Sequence, residues 1–461
     1  MQTLTPSAKS IPRRTTSDYP PPSSHIESIP DETLIQVMQL TLPDSSLPRN
    51  TFSAALKLSH ISRRFRLIAH NISELWTVIH PKYPLTHDQT QFWMDVLERS
   101  GARLIDIEIN IKVGLGGAIQ PYTTFLGAVV RHSNRWRKFK ITTKMREPID
   151  LFLDQSRHLC LLPGLEEITI RHSENSDRRA DRDNEDCTPI FHNVLFGKDV
   201  LAPNLKVLKL GATYFDYSRM RSLAKDLIEL NLENHTYLRT SYAPEMIIDM
   251  LRALPGLRIL TFTDINIEFD NRPRAVKLQY LNRLKFRGFP QNAMHLLPLL
   301  HVPSLEVLDL GESRLAADLE TVTIPPVPAA DRTITRVLMS LFTSPAGRPW
   351  GWKPGRLREL SLEYNHCPCV REVRRVLSLT RNVERLHVSS PIIFTILADP
   401  DILPNLWYWV VKSPMFRDPY PFSDILTDRP EVTLFVEGDL TQDGERLYNT
   451  LKDTHKIALR T

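Results

Sequence analysis

The sequence predicts a mixed α/β fold in which a small three-helix module precedes a curved solenoid, with parallel strands on the concave side and helices on the convex side. Two observations predict this fold. From about residue 100 onward, a six-residue phrase with apolar residues at positions one, four and six recurs along the chain. Apolar residues at helical spacing lie between the phrases and also in the segment before them. One repeat cannot bury its own apolar side chains, so the repeats are expected to stack.

The repeated phrase is the stronger of the two signals. Alternate side chains of a strand point to opposite faces, so the fourth and sixth residues are expected to face the core and their neighbours to point outward. The copies are LIDIEI from Leu104, WRKFKI from Trp136, LEEITI from Leu165, LKVLKL from Leu205, LIELNL from Leu227, LRILTF from Leu257, LNRLKF from Leu281, LEVLDL from Leu305, LRELSL from Leu357, VERLHV from Val383 and, more loosely, LWYWVV from Leu406.

Helical stretches are expected between the phrases, at 243–254, 291–300 and 331–342, most of them followed by a turn that contains proline. Composition divides the chain further, because segments poor in large apolar residues cannot offset the entropy lost on ordering. The expected segments are a disordered tail over 1–25, the helical module over 26–80, the solenoid over 81–415 with a disordered insertion near 172–188, and a C-terminal cap over 416–461, beyond the last copy of the phrase.

The module over 26–80 is expected to contain three short helices. Ser28 is the expected cap of the first helix, with Asp31 as its capping-box partner and Pro30 in the first turn. Ser59 is the expected cap of the third helix, whose arginines Arg63, Arg64 and Arg66 should face outward. A unit this small is marginally stable alone, so we expect it to bind a partner or the next domain.

Bulk composition excludes several classes of function. The 58 Lys and Arg residues exceed the 53 Asp and Glu residues only slightly, which gives no support for nucleic-acid binding. Four scattered cysteines are too few for a disulfide framework and favour a reducing compartment, the cytoplasm or the nucleus. We expect no targeting peptide and no membrane segment, because no apolar run approaches the required length.

The module resembles the F-box family in the segments IPDETLIQVMQL, LSHISRRFRLIA and ELWTVI, and the whole chain resembles F-box proteins with leucine-rich repeats. Phrases at Leu257, Leu281 and Leu305 begin 24 residues apart, inside the leucine-rich-repeat period. The sequence departs from the family pattern at Ile29, Ser62 and Phe65, where the family usually has Leu, Cys and Trp.

This resemblance implies that the chain docks onto a Skp-type adaptor, and through it onto a cullin-based ubiquitin ligase, while its repeats select the substrate protein. No bond would be made or broken by the chain itself, because its role is to raise the effective concentration of the substrate. The residues that the resemblance places against the adaptor are Ile29, Pro30, Leu34, Ile35, Met38, Leu58, Ile61, Phe65 and Trp76. Packing within a three-helix cluster explains any one of them equally well.

Outward-pointing positions of the phrases are the candidates for substrate binding. Arg283, Lys285 and Arg287 form a basic row, whereas Glu359 and Glu363 flank Ser361 in an acidic one. We expect the basic row to meet an acidic or phosphorylated stretch of a partner. A solvated strand face without a ligand is the alternative interpretation.

No catalytic, cofactor or metal site is predicted. GLGG at 114–117 lacks the Lys and Ser/Thr of a phosphate-binding loop. Cys367 and Cys369, with His366 beside them, do not offer four zinc ligands, and His132, His158, His172 and His192 are scattered. Two other functions stay open, namely a leucine-rich-repeat protein-binding scaffold without a ligase role and an enzyme whose site is assembled from distant loops.

Overall fold

The structure is a computed structural model that describes residues 28–41, 48–111, 119–144, 147–172, 200–211, 225–233, 244–265, 274–288, 290–311, 338, 352–363, 370–388, 396–412, 420–437 and 442–460. The chain divides into two compact units, Met1–Trp76 and Thr77–Thr461. We call them the helical unit and the sheet unit. The predicted tail over 1–25 and nearly all of the predicted insertion over 172–188 lie outside the described residues.

The helical unit contains the helices α1 (Asp31–Leu40), α2 (Pro48–Ser59) and α3 (Arg63–Asn71), followed by a 3-10 turn at Ser73–Trp76. Both α1 and α2 pack against α3. The apolar residues of α1 and α3 recur at helical spacing, so that one side of each helix is buried. These three helices match the number that the sequence predicts.

The capping residues differ from the prediction. Pro30 precedes α1 and makes no side-chain capping hydrogen bond, so Ser28 is not the cap of that helix. Ser62, not Ser59, caps α3, because its hydroxyl accepts a hydrogen bond from the Phe65 N–H at 3.2 Å. Ser59 ends α2 instead, and its hydroxyl donates to the Leu56 carbonyl oxygen at 2.8 Å. Both serines suit a helix end, and sequence spacing alone does not distinguish the two roles.

The sheet unit is built on a parallel sheet of 14 strands among the described residues, joined in almost perfect chain order. A separate parallel pair consists of β8 (Val276–Lys277) and β10 (Leu300–His301). The strands of the long sheet are β1 (Val78–Ile79), β2 (Ile105–Ile111), β3 (Trp136–Thr143), β4 (Glu167–His172), β5 (Val207–Gly211), β6 (Glu229–Glu233), β7 (Ile259–Thr263), β9 (Arg283–Arg287), β11 (Val307–Gly311), β12 (Glu359–Glu363), β13 (Arg385–Val388), β14 (Tyr408–Lys412), β15 (Thr433–Glu437) and β16 (Ile457–Arg460).

Helices connect many of these strands, as parallel strands require. They are α4 (His87–Arg99), α5 (Ile119–Arg131), α6 (Glu147–Ser156), α7 (Pro244–Arg252), α8 (Pro290–Leu296), α9 (Val370–Leu379), α10 (Tyr420–Asp428) and α11 (Gln442–Leu451). Two of the three predicted helical stretches are therefore helices, at α7 and α8. The third stretch, 331–342, lies outside the described residues except for Leu338, which is helical and buried.

The register aligns the repeated phrase from strand to strand. Leu260, Leu284, Leu308, Leu360 and Leu386 pair in sequence across β7, β9, β11, β12 and β13. In every phrase that begins between Leu104 and Leu406, the fourth and sixth residues are buried. The first residue is buried as well, except Leu104, which is 42% exposed and whose place in the core is taken by Ile105. The expected alternation is thus confirmed, and the fold is mixed α/β with one long parallel sheet.

Asparagines that come directly before a phrase tie neighbouring repeats together. The side-chain amides of Asn204, Asn382 and Asn405 donate to backbone carbonyl oxygens of the preceding repeat at 2.6, 2.5 and 3.2 Å. These bonds occupy carbonyl groups in the turns, which would otherwise depend on solvent. They give the turns a repeating contact in addition to the buried phrase residues.

The sheet does not stop where the last phrase ends. Leu434 and Val436 of β15 pair with Trp409 and Val411 of β14, and both are buried. β16 then pairs with β15 in the same parallel sense. The segment over 416–461, predicted as a cap that follows the repeats, therefore contributes the strands β15 and β16 to the sheet.

Candidate protein-binding surfaces

The nine predicted adaptor-facing residues fall into three groups in the helical unit. Four of them are buried, namely Leu34, Met38, Phe65 and Trp76. Three are half-buried, namely Ile29, Ile35 and Leu58, and two are exposed, namely Pro30 and Ile61. The structure therefore leaves five of the nine at least partly accessible.

The four buried residues expose little of their side chains in this structure. Leu34 and Met38 lie four residues apart and so share one side of α1, the side that is buried. Trp76 is fully buried, and its indole N–H donates to the Ala69 carbonyl oxygen at 2.8 Å. A buried tryptophan with a satisfied N–H stabilises the unit rather than offering a contact surface.

Other apolar side chains of the helical unit are exposed, and sequence reasoning missed them. Val37 is 48% exposed, Leu40 84% and Leu67 60%. Val37 and Leu40 lie three residues apart on α1 and so share a side of the helix, different from the side of Leu34 and Met38. Ile61 is 55% exposed, and we call Val37, Leu40, Ile61 and Leu67 the exposed apolar residues of the helical unit. A second apolar stripe on α1 was the available signal.

Arg64 ties the start of α1 to α3. Its guanidinium donates to the Asp31 carboxylate, with the Nε–Oδ1 distance at 2.9 Å, and also to the Ile29 carbonyl oxygen at 2.5 Å. Arg64 was expected to face outward, and its side chain is 33% exposed. The contact holds Ile29 and Pro30, the first predicted docking residues, against the third helix.

The second candidate surface is the open face of the long sheet. It carries the third and fifth residues of each phrase and the residue that directly follows the phrase. Most of these side chains are half-buried, so they are accessible between their neighbours on adjacent strands. Cross-strand pairs on such a face determine both its stability and its chemistry.

The predicted basic row lies on β9, but two of its three members are ion-paired. Lys285 Nζ lies 3.4 Å from the Asp309 carboxylate on β11. The Arg287 guanidinium donates to Asp309 at 3.2 Å and to Glu363 on β12 at 2.9 Å. We call Lys285, Arg287, Asp309 and Glu363 the ion-pair cluster. Arg283 is exposed and has no ion-pair partner among the residues that the structure describes.

Arg287 is partly buried within the ion-pair cluster. Burial by itself lowers the pKa of Arg287, but the charges and hydrogen bonds of Asp309 and Glu363 outweigh it and raise the pKa above its ordinary value. The guanidinium therefore stays charged throughout the accessible pH range. Because it already has two carboxylate partners, it offers little to a further anion.

A glycine allows Arg287 to reach Glu363. Arg287, Gly311 and Glu363 are register partners on three consecutive strands. A Cβ on Gly311 would lie 3.5 Å from Arg287 Cγ and 3.4 Å from Glu363 Cβ, which is ordinary van der Waals contact, so alanine fits there, whereas the further atoms of a larger side chain would crowd the pair. The same arrangement recurs earlier in the sheet, where Arg171 crosses to Glu233 at 3.1 Å over the strand that carries Gly211.

The predicted acidic row is divided between two environments. Glu363 belongs to the ion-pair cluster, whereas Glu359 faces β13, where its carboxylate lies 3.9 Å from both Arg385 and His387. Ser361 between them is buried. The row is therefore not a continuous acidic surface.

Beyond β12 the open face becomes aromatic. Tyr408 and Phe435 stack on neighbouring strands with ring centroids 4.3 Å apart, and Trp407 meets Tyr408 edge-on at 5.7 Å. The Arg385 guanidinium lies over both Trp407 at 5.3 Å and Tyr408 at 5.7 Å. We call Arg385, Trp407, Tyr408 and Phe435 the arginine-aromatic cluster. Sequence reasoning missed it, although LWYWVV was visible as an aromatic variant of the phrase.

The remaining candidate residues yield no assembled site. His132 and His158 are far apart in the sequence, and Cys160 is an exposed free thiol. GLGG at 114–117, the CPC pair at 367–369, Cys187 and His192 lie outside the described residues, and only the backbone of His172 is described. Within the described ranges, no group of three or more His, Cys, Asp or Glu residues could hold a metal ion. No helix there is both long and apolar enough to cross a bilayer.

Comparison with models of known protein families finds no match for this chain, and comparison with curated proteins finds none either.

Proposed function

We propose that this chain is the substrate-recognition adaptor of a Skp-cullin-F-box type ubiquitin ligase, built as a leucine-rich-repeat solenoid with an F-box-like module in front. The helical unit docks onto a Skp-type adaptor, and the open face of the sheet binds the substrate protein. One observation carries the proposal. The described part of the helical unit keeps four large apolar side chains exposed, which favours a protein partner.

Three further features support this proposal. The F-box-like segments coincide with α1, α3 and the Ser73–Trp76 turn. Pro30 and Ile61, two of the residues that the resemblance places at the adaptor, are exposed. The phrase residues build a regular parallel ladder, and such ladders present extended surfaces to protein partners. The chain acts through proximity, by holding a substrate near the conjugating enzyme.

The docking step is tested by capture of the purified full chain on an immobilised Skp-type adaptor. Leu40→Asp places a charge at the most exposed of Val37, Leu40, Ile61 and Leu67, and we expect at least tenfold weaker capture because a desolvated charge opposes binding. Gln39→Asp adds the same charge at a neighbouring exposed position and should bind nearly as well as the wild type. Leu40 is 84% exposed, so the variant is expected to fold, which circular dichroism checks.

A wild-type chain that the adaptor does not retain would rule out the ligase role. The second candidate function, a protein-binding scaffold without a ligase role, would then be preferred. The burial of Leu34, Met38, Phe65 and Trp76 favours it, because these residues stabilise the helical unit without any partner. In that case removal of the helical unit would leave binding at the open face unchanged.

A further inference from the structure

Some charged side chains on the open face of the sheet belong to the ion-pair cluster, and others do not. On β9, β11, β12 and β13 its described outward positions carry the cations Arg283, Lys285, Arg287 and Arg385 and the carboxylates Asp309, Glu359 and Glu363. The ion-pair cluster accounts for two charges of each sign. Arg283 and Arg385 remain, with Glu359 between them, so this part of the face has an excess of positive charge.

Arg385 differs from the other cations in how it is held. It is the register partner of Tyr408, and its guanidinium lies over the Trp407 and Tyr408 rings. The attraction between a cation and the faces of two aromatic rings favours this position of the guanidinium. A guanidinium has several N–H donors, and a planar carboxylate can accept hydrogen bonds from two of them.

The existing anion near Arg385 does not use these donors. Glu359 Oε2 lies 3.9 Å from Arg385 Nη1, beyond hydrogen-bonding distance, and the Arg385 side chain is 51% exposed. Within the part of the chain that the structure describes, the Arg385 guanidinium makes no hydrogen bond. It is thus oriented and charged, yet its hydrogen-bonding capacity is open to a ligand.

The rings add apolar surface beside the cation. Tyr408 and Phe435 stack on each other, and Arg385 lies over one face of Trp407. Trp407 nevertheless exposes 42% of its surface. Tryptophan, tyrosine and arginine together are typical of the residues that dominate protein-protein binding energy.

We propose that the arginine-aromatic cluster binds an acidic segment of a partner protein, with an Asp or Glu carboxylate of that segment received by Arg385 and apolar atoms beside it resting on Trp407. This inference names the substrate chemistry of the open face and so rests on the proposed function. It moves the anion-binding role from Lys285 and Arg287, whose charges are neutralised, to Arg385.

The test uses the full chain and a fluorescein-labelled hexaglutamate peptide, with hexaglutamine as the neutral probe, followed by fluorescence polarisation. The wild type should bind hexaglutamate and not hexaglutamine. Arg385→Gln should weaken binding roughly tenfold, because a hydrogen-bonded charge pair is lost. Arg375→Gln, at an exposed position of α9, removes the same charge elsewhere and should change the affinity by less than about twofold.

The Trp407→Ala variant tests whether the orientation of the Arg385 guanidinium contributes to binding in addition to its positive charge. It keeps the charge of Arg385 but removes its support, and we expect roughly threefold weaker binding. Equal affinities of the Arg385→Gln and Arg375→Gln variants would overturn the proposal, and so would equal binding of the two probes. A phosphoserine peptide that binds while hexaglutamate does not would overturn the choice of carboxylate. Capture of the same variants by the Skp-type adaptor should be unchanged, so failure of the docking proposal is seen independently.

Discussion

Strands β9–β12 and strands β13–β15 share one parallel register but carry different chemistry on their open face. In the first region, both cations of the ion-pair cluster, Lys285 and Arg287, are paired with carboxylates on neighbouring strands. In the second, Arg385 rests on aromatic rings and keeps its donors unused. The contrast shows that a charged strand face can stabilise the fold in one place and be free for a partner in the next.

A substitution beneath both regions should have the largest effect. Leu360 is fully buried on β12, the strand that contributes Glu363 to one region and Glu359 to the other. Leu360→Ala should lower the free energy of unfolding by about 2–5 kcal/mol, because it leaves a cavity in a packed core. Leu161→Ala makes the same change at a side chain that is 53% exposed and should cost little. Urea denaturation compares the two, and similar losses would contradict the assignment of the core face.

The ion-pair cluster should be structural. Arg287→Ala leaves Asp309 and Glu363 partly buried without their main cation, so we expect a loss of about 1–3 kcal/mol in the free energy of unfolding. Arg375→Ala removes an exposed arginine and is the matched control. Hexaglutamate binding by the Arg287→Ala variant should stay within about threefold of the wild type. If that variant lost binding as strongly as Arg385→Gln, the division of roles between the two regions would be wrong.

Gly311 tests how Arg287 crosses to Glu363. Gly311→Leu adds atoms beyond a Cβ that would already contact both side chains at 3.4–3.5 Å, and we expect a loss of about 1 kcal/mol from the displaced pair. The loss should shrink when Arg287 is already alanine, because the two substitutions act on one contact. Gly256→Leu, at a position where a Cβ would meet only the Leu227 carbonyl oxygen at 3.9 Å, is the control. If the two losses in the free energy of unfolding were strictly additive in the double mutant, Gly311 would not act through the contact between Arg287 and Glu363.

The arginine-aromatic cluster should contribute least to stability. Trp407→Ala removes a side chain that is 42% exposed, so the free energy of unfolding should change by about 0.5 kcal/mol or less. Thermal and urea denaturation measure this change on the same protein used for peptide binding. A large loss of stability would mean that Trp407 is part of the core, and its effect on binding could then not be assigned to orientation of Arg385.

The regular part of the fold was predictable from the sequence because the buried positions repeat. Residues such as Leu284 and Leu308 are buried and must be apolar, whichever side chains lie on the open face. The repeated phrase therefore indicates directly which residues pair between neighbouring strands. The partners on the open face were not predictable in the same way. Arg287 pairs with Glu363, 76 residues further along the chain, and no local spacing indicates that contact.

The helical unit shows a different limit of prediction from sequence. Apolar spacing on α1 identifies Leu34 and Met38 as one stripe, but it does not say whether that stripe is the core or a docking surface. The structure assigns it to the core and leaves Val37 and Leu40 exposed. A short helix can carry two apolar stripes, and only packing against α3 distinguishes them.

A bridging experiment tests the adaptor role most directly. The Skp-type adaptor is immobilised, the full chain is added, and retention of labelled hexaglutamate is measured by surface binding. We expect the peptide to be retained only when the chain is present. Leu40→Asp should abolish retention because the chain leaves the surface, and Arg385→Gln should abolish it while the chain stays. A chain that binds the adaptor or the peptide, but never both together, would contradict it.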